Sequence, residues 1–135
     1  MSATISLYLR SELLRRFFLA GEPQDCYLAL CSVVPQANAT GDQLLEPVAG
    51  GYARAVYETG TDRWAPSGYG EVYNTRRLVF DEAVSDWGLI AGWALVDSPN
   101  SGLTLAVGSV LTPTFVVAGV TPVAEVGSIT AGLYD

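Results

Sequence analysis

Apolar residues recur every four positions at the start of the chain, at Ile5, Leu9, Leu13 and Phe17, flanked by Tyr8, Leu14 and Phe18. That period predicts one amphipathic helix over residues 5–19. Ser2 or Thr4 is placed to cap it, Gly21 to end it in a left-handed turn, and Pro23 to stop it continuing. Beyond residue 22 the pattern changes to short apolar runs broken by turn residues. Strands are predicted over 26–34, 52–58, 71–80, 87–97, 103–111, 114–117 and 123–133. Residues 35–51, with Asn38, Gly41 and Pro47, are too polar and interrupted for a core element. Residues 59–70, rich in Gly and Pro, leave Trp64 in a loop, and residues 98–102 have hairpin-turn composition. The chain therefore reads as mostly β: a single β-sandwich or jelly-roll-like domain over 1–135, with a helical segment (1–22) followed by the sandwich (23–135).

Two features of this pattern bear on function. The helix carries apolar residues around most of its circumference, whereas a helix on one face of a sandwich needs a stripe of only about 100°. Leu9, Leu13, Phe17 and Phe18 are therefore expected at an assembly interface with another chain. Gly50 and Gly51 open the strand at Tyr52, and Gly88 follows Trp87 into the next long apolar run; all three are read as turn-forming. Gly51 is expected to tolerate a β-branched side chain far less well than Gly41.

Composition narrows the chemistry. The chain has no histidine and no lysine, and its seven basic residues are all arginine. Histidine-based triads and metal sites, Schiff-base chemistry and phosphate-loop chemistry are thereby excluded, so no catalytic residue, metal or cofactor is assigned. A net charge of −7 argues against nucleic acid as a partner. Arg10, Arg15 and Arg16 cluster around Glu12, as on a solvated helix face. No apolar run reaches the roughly 18 residues of a membrane helix, and no signal peptide is evident. Half the residues are hydrophobic and only 16% are charged, which points to surface buried against other chains. Cys26 and Cys31, five apart on one predicted strand, are too distant to pair with each other and read as small buried residues, with an inter-subunit disulfide as the alternative.

Asp81, Glu82 and Asp86 form the densest acidic cluster and read as a charged loop rather than a glycosidase pair. Asp97, Asn100 and Ser101 read as hairpin chemistry rather than a calcium loop. Trp87 and Trp93 read as core. Trp64, Tyr69 and Tyr73 are candidate interface or loop contacts, able either to anchor a partner, to stack on a sugar, or to cap the sandwich. Arg54, Arg76 and Arg77 stand on predicted strands. Arg76 and Arg77 alternate faces, so one of them faces solvent or a neighbour and is expected to meet a carboxylate.

The order of short words along the chain carries a family resemblance. An N-terminal helix precedes Tyr27-Leu28-Ala29-Leu30 and Pro35. Then come an acidic, Gly-containing loop, Gly50-Gly51-Tyr52-Ala53-Arg54, Asn74, Val79-Phe80, Asp86-Trp87-Gly88 and Ala94-Leu95-Val96-Asp97 before a Gly turn. Over about residues 5–133 this resembles small virion proteins of tailed bacteriophages, of the tail-fibre-like or capsid-decoration type; residues 61–73 depart from the pattern. The resemblance implies a non-enzymatic structural protein of the virion, assembled in the host cytoplasm. With no shaft repeat, a compact length and one adhesive helix, the reading is a homotrimeric capsid decoration (cement) protein partnered by the major capsid protein. The alternatives are a tail-fibre or baseplate component partnered by tail proteins, and a carbohydrate-binding module using Trp64 and Tyr69.

Overall fold

The computed structural model describes residues 1, 6–48, 50–68 and 70–132. Helix α1 spans Leu7–Leu14 and runs on into a single π-helical turn, Arg15–Leu19, in which the Ala20 N–H reaches back to the Arg15 carbonyl. Its cap is Ser6, whose hydroxyl accepts from the Leu9 N–H at 3.2 Å. Ser2, Thr4 and Ile5 lie outside the described residues. Gly21 takes φ 86°, ending the helix as its position predicts.

Nine strands follow among the described residues: β1 (Asp25–Cys31), β2 (Ala55–Glu58), β3 (Trp64–Pro66), β4 (Glu71–Asn74), β5 (Leu78–Val79), β6 (Gly88–Val96), β7 (Thr104–Val116), β8 (Val123–Ala124) and β9 (Thr130–Gly132). They form three sheets, ordered β2-β1-β6-β7, β3-β4-β9 and β5-β8. A mostly-β chain with one N-terminal helix and antiparallel sheets is the β-sandwich-like class that the turn spacing predicts.

The chain divides into two compact units that interleave in sequence. The larger, Asp25–Tyr57 with Leu78–Val123, contains the four-stranded sheet. There β1 pairs with β6 from Tyr27↔Val96 to Cys31↔Gly92, and both strands are buried on both faces. Ala29, Cys31, Leu44, Ala94 and Val96 make a core cluster of small side chains. Strand β7 pairs with β6 on its other side and ends the sheet.

The smaller unit comprises Met1–Gln24, Glu58–Arg77 and Ala124–Asp135. Its centre is Trp64, 1% exposed, packed against Phe18 with ring centroids 4.7 Å apart. The Trp64 indole N–H donates to the Glu58 carbonyl at 3.0 Å. Asn74 is completely buried and fully bonded. Its amide nitrogen donates to the Arg76 and Glu125 carbonyls, and its side-chain oxygen accepts from the Ile129 N–H.

The structure departs from the sequence reading in several places: residues 103–111 and 114–117 join as the single strand β7, and the predicted strand 123–133 divides into β8 and β9, which lie in different sheets. Residues 71–80 are two strands, because the Asn74 side chain bends the chain around itself at Thr75. Residues 52–54 are not strand, because the Tyr52 and Arg54 side chains hold that backbone to loops. Trp64 opens a strand and is core, because its unit assembles from short segments far apart in sequence and has little else of comparable size to bury.

The glycine reading is also corrected. Gly50, Gly51 and Gly88 adopt φ of 75°, 78° and 89°. Yet a Cβ on Gly41 would collide with the Ser101 carbonyl oxygen, whereas on Gly51 its nearest neighbour would be a Val84 methyl at 3.0 Å. Backbone yields less readily than a side-chain methyl. Gly41→Val is therefore expected to destabilise more than Gly51→Val, whose backbone strain and crowding cost about 1–3 kcal/mol. Urea denaturation of the two variants against the parent checks the order.

Candidate functional site

The most highly organised cluster in the larger unit is built on Arg54. Its side chain is 4% exposed, and all five of its N–H donors are used. Nε and Nη2 grip the two Glu46 oxygens, each at 2.9 Å. Nη1 donates to the Ser98 and Ser101 carbonyls, each at 2.8 Å, and Nη2 also donates to the Gly41 carbonyl at 3.0 Å. One guanidinium thus joins the 41–46 loop to the 98–101 hairpin. Glu46 in turn accepts from the Tyr52 hydroxyl at 2.6 Å, and that hydroxyl accepts the Leu30 N–H of β1 at 3.0 Å.

The two turn words meet beside this hub. The Gly50 carbonyl accepts from the Trp87 indole N–H and from the Val84 N–H, both at 2.8 Å. Tyr52 and Trp87 pack edge to face at 5.2 Å. Asp86 accepts from the Ala118 N–H, which fixes the turn after β7. Asp97 accepts from the Leu103 N–H across the hairpin. An open hollow of about 510 Å³ lies against the hub, lined by Asp42, Glu46, Tyr52, Arg54 and Asn100 among others. Its cation has no free donor to offer a ligand. No group of three or more potential metal ligands occurs among the described residues.

The other singled-out residues lie elsewhere. In the smaller unit, Leu9, Leu13 and Phe17 remain 44%, 44% and 37% exposed, while Phe18 is buried on Trp64. Arg16 is exposed, and Arg15 is bound to Glu12 at 2.9 Å. Tyr73 is half-buried on β4, opposite Ala65 and Thr130. Arg76 reaches Asp62 and Arg77 reaches Glu125, as exposed pairs. Tyr69 lies outside the described residues. The aromatic cluster proposed for residues 64–73 is therefore not presented as a set, since Trp64 faces inward. Sequence reasoning missed Glu46 as the partner of Arg54 and Tyr52 as a second donor to Glu46; the low charge density around Arg54 was the available signal, since a lone arginine in an apolar run needs a carboxylate.

The arrangement around Arg54 fastens loops and offers no reactive group, and by its family the chain is a small virion structural protein of the tailed-phage fibre type. It belongs to the family described as Podophage GP4 fiber I protein gp80, which matches residues 4–132. No curated protein matches this chain.

The hub and the sheet beneath it can each be probed by substitution. Arg54→Met leaves Glu46 and three carbonyls without their donor, and is expected to cost about 3 kcal/mol in chemical denaturation. Burial pushes the Cys26 thiol up to about 11 and the Cys31 thiol up to about 12, and it also raises the Tyr52 phenol, with help from its bond to Glu46. In the unfolded chain the thiols lose their protons near pH 8.5, so above that pH the folded state holds more protons than the unfolded one. Stability is then lost as pH rises, at about 1.4 kcal/mol per pH unit for each thiol until its folded-state value is reached. Urea midpoints between pH 7 and 10.5 should fall, and the double variant Cys26→Ala, Cys31→Ala should flatten that fall.

Proposed function

We propose that this protein is a non-enzymatic structural component of a podophage tail fibre or baseplate. In this reading it is built into the particle as a homotrimer, with the outward face of α1 as its attachment element. The single observation that carries the reading is the family description, which names a fibre protein and spans residues 4–132. The helix supplies a physical basis: Leu9, Leu13 and Phe17 stay well exposed along one element, and covering them contributes about 25 cal/mol per Å² before association costs.

A capsid decoration role is the second reading. It is favoured by the lack of any shaft-like repeat in the 135 residues. The two differ in location and copy number. A fibre or baseplate component copurifies with tails in tens of copies or fewer. A cement protein stays with capsid shells in numbers comparable to the capsid protein. Labelling the chain in intact particles and in separated heads and tails decides between them.

The helix assignment is tested by Leu13→Asp and Phe17→Asp, because deleting the segment would also remove Leu14 and Phe18 from the core of their unit. Each variant is expected to fold and to lose incorporation by at least about tenfold, since an unpaired charge would be buried at the contact. Competition between variant and parent chains for particles lacking the protein provides the measurement. Equal incorporation would reduce the helix to a lid on its own unit.

A further inference from the structure

We propose that the open edge of β7 is a self-association surface, where two copies of this chain join strand to strand about a twofold axis. The proposal goes beyond the assignment to the particle and does not depend on it.

Strand β7 is the last strand of its sheet and, with 13 residues, the longest among the described residues. The 39–41 segment covers its beginning: Thr40 bridges Leu103, and the Gly41 N–H donates to the Gly102 carbonyl at 2.8 Å. From Leu105 onward β6 lies on one side and, among the described residues, no strand lies on the other. The backbone donors and acceptors along that side are therefore open to a partner strand. Proteins that stay monomeric guard such an edge with charged side chains, or with a proline or bulge that interrupts it; the bulge and Pro113 fall at 110–113 and leave 106–109 regular. Here residues 98–124 carry no charge at all, the longest such stretch in the chain.

What the edge displays instead is apolar. Ser109 pairs with Gly92 and Thr114 with Ile90, so residues 110–113 stand opposite Ala91 alone. This bulge carries Leu111 out until it is fully exposed, and Phe115 beyond it is 68% exposed. Pro113 lies inside the bulge, outside both paired segments, so its missing N–H leaves the edge over 105–109 intact. Leu103, Leu105 and Val117 extend the exposed apolar row.

Three considerations select a second copy as the occupant. Each copy carries a net charge of −7, and this uncharged segment is where two copies meet with least repulsion. An antiparallel pair about a twofold presents each strand with its own sequence reversed, so apolar meets apolar on both sides. The five exposed side chains, with the edge backbone from Leu105 onward, amount to on the order of 500 Å² per copy, which reaches the roughly 1,000 Å² total that a specific interface needs.

The test uses the full chain. Leu111→Asp and Phe115→Asp alter exposed side chains, so the fold should persist, as circular dichroism will report. Light scattering should give the parent an even multiple of the 14.3 kDa chain mass, six chains where twofold edge contacts join two of the proposed trimers. Each variant should have half the parent's mass, whatever contact the helix makes separately. Ser109→Cys adds an exposed thiol, since Cys26 and Cys31 are buried. A short bismaleimide should link its copies in pairs, and adding Phe115→Asp should abolish the link; this arm decides the matter if either aspartate variant misfolds. One shared mass for parent and variants, with no cross-linked pair, overturns the proposal. Unchanged mass with lost incorporation into particles also overturns it, and assigns the edge to a different virion protein. Failure of the helix variants to affect incorporation would leave this result untouched.

Discussion

The larger unit depends on one ion pair. The described residues of 32–54 contain no strand and only one turn of 3₁₀ helix, Gly41–Gln43, so their backbone groups find few partners in regular structure. Arg54 supplies what is missing. It holds Glu46 with two bonds and takes three carbonyls from two separate loops. Burying a guanidinium costs several kcal/mol, and a single carboxylate seldom offsets that. Here every donor is satisfied, and the arrangement converts a desolvated charge into the fixed point from which Tyr52, Leu30 and the Gly41–Ser101 contact take their positions.

The smaller unit solves the same problem without charge. Asn74 has both donors and an acceptor in one planar group, and it spends them on the carbonyls of Arg76 and Glu125 and on the Ile129 N–H. Its three-stranded sheet is too short to define the unit alone. The buried amide gathers two distant segments, and Trp64 with Phe18 fills the space between helix and sheet. In both units, one fully bonded planar side chain organises loops that the hydrophobic pattern leaves unspecified.

This economy bears on function. A chain of 135 residues that fixes its irregular segments internally can present unmatched apolar surface without losing its shape. The outward residues of α1 and the uncharged edge of β7 are such surfaces, on different units. For a protein of a phage fibre family, attachment and self-association through separate elements would let one small chain meet both the particle and its own copies.

Much of the local structure was legible in the sequence. The four-residue period marked the helix, and the apolar run from Gly88 with the Ser98–Gly102 turn marked the β6–β7 hairpin, because these features depend on neighbours close in the chain. The absence of histidine and lysine removed whole classes of chemistry by inventory alone. The tertiary structure decided the rest. Trp64 lies in a stretch full of Gly and Pro, and only the approach of Phe18 from 46 positions earlier makes it core. Gly41 looked like a tolerant loop glycine, and only the Ser101 carbonyl, drawn in by Arg54, makes it restrictive. Tyr52 and Trp87 are recognisable words, but their contact spans 35 positions. Periodicity records which face of an element is buried; it carries no information about which distant loop a buried polar group will seize, because that choice is fixed by three-dimensional proximity and by the need to satisfy every donor.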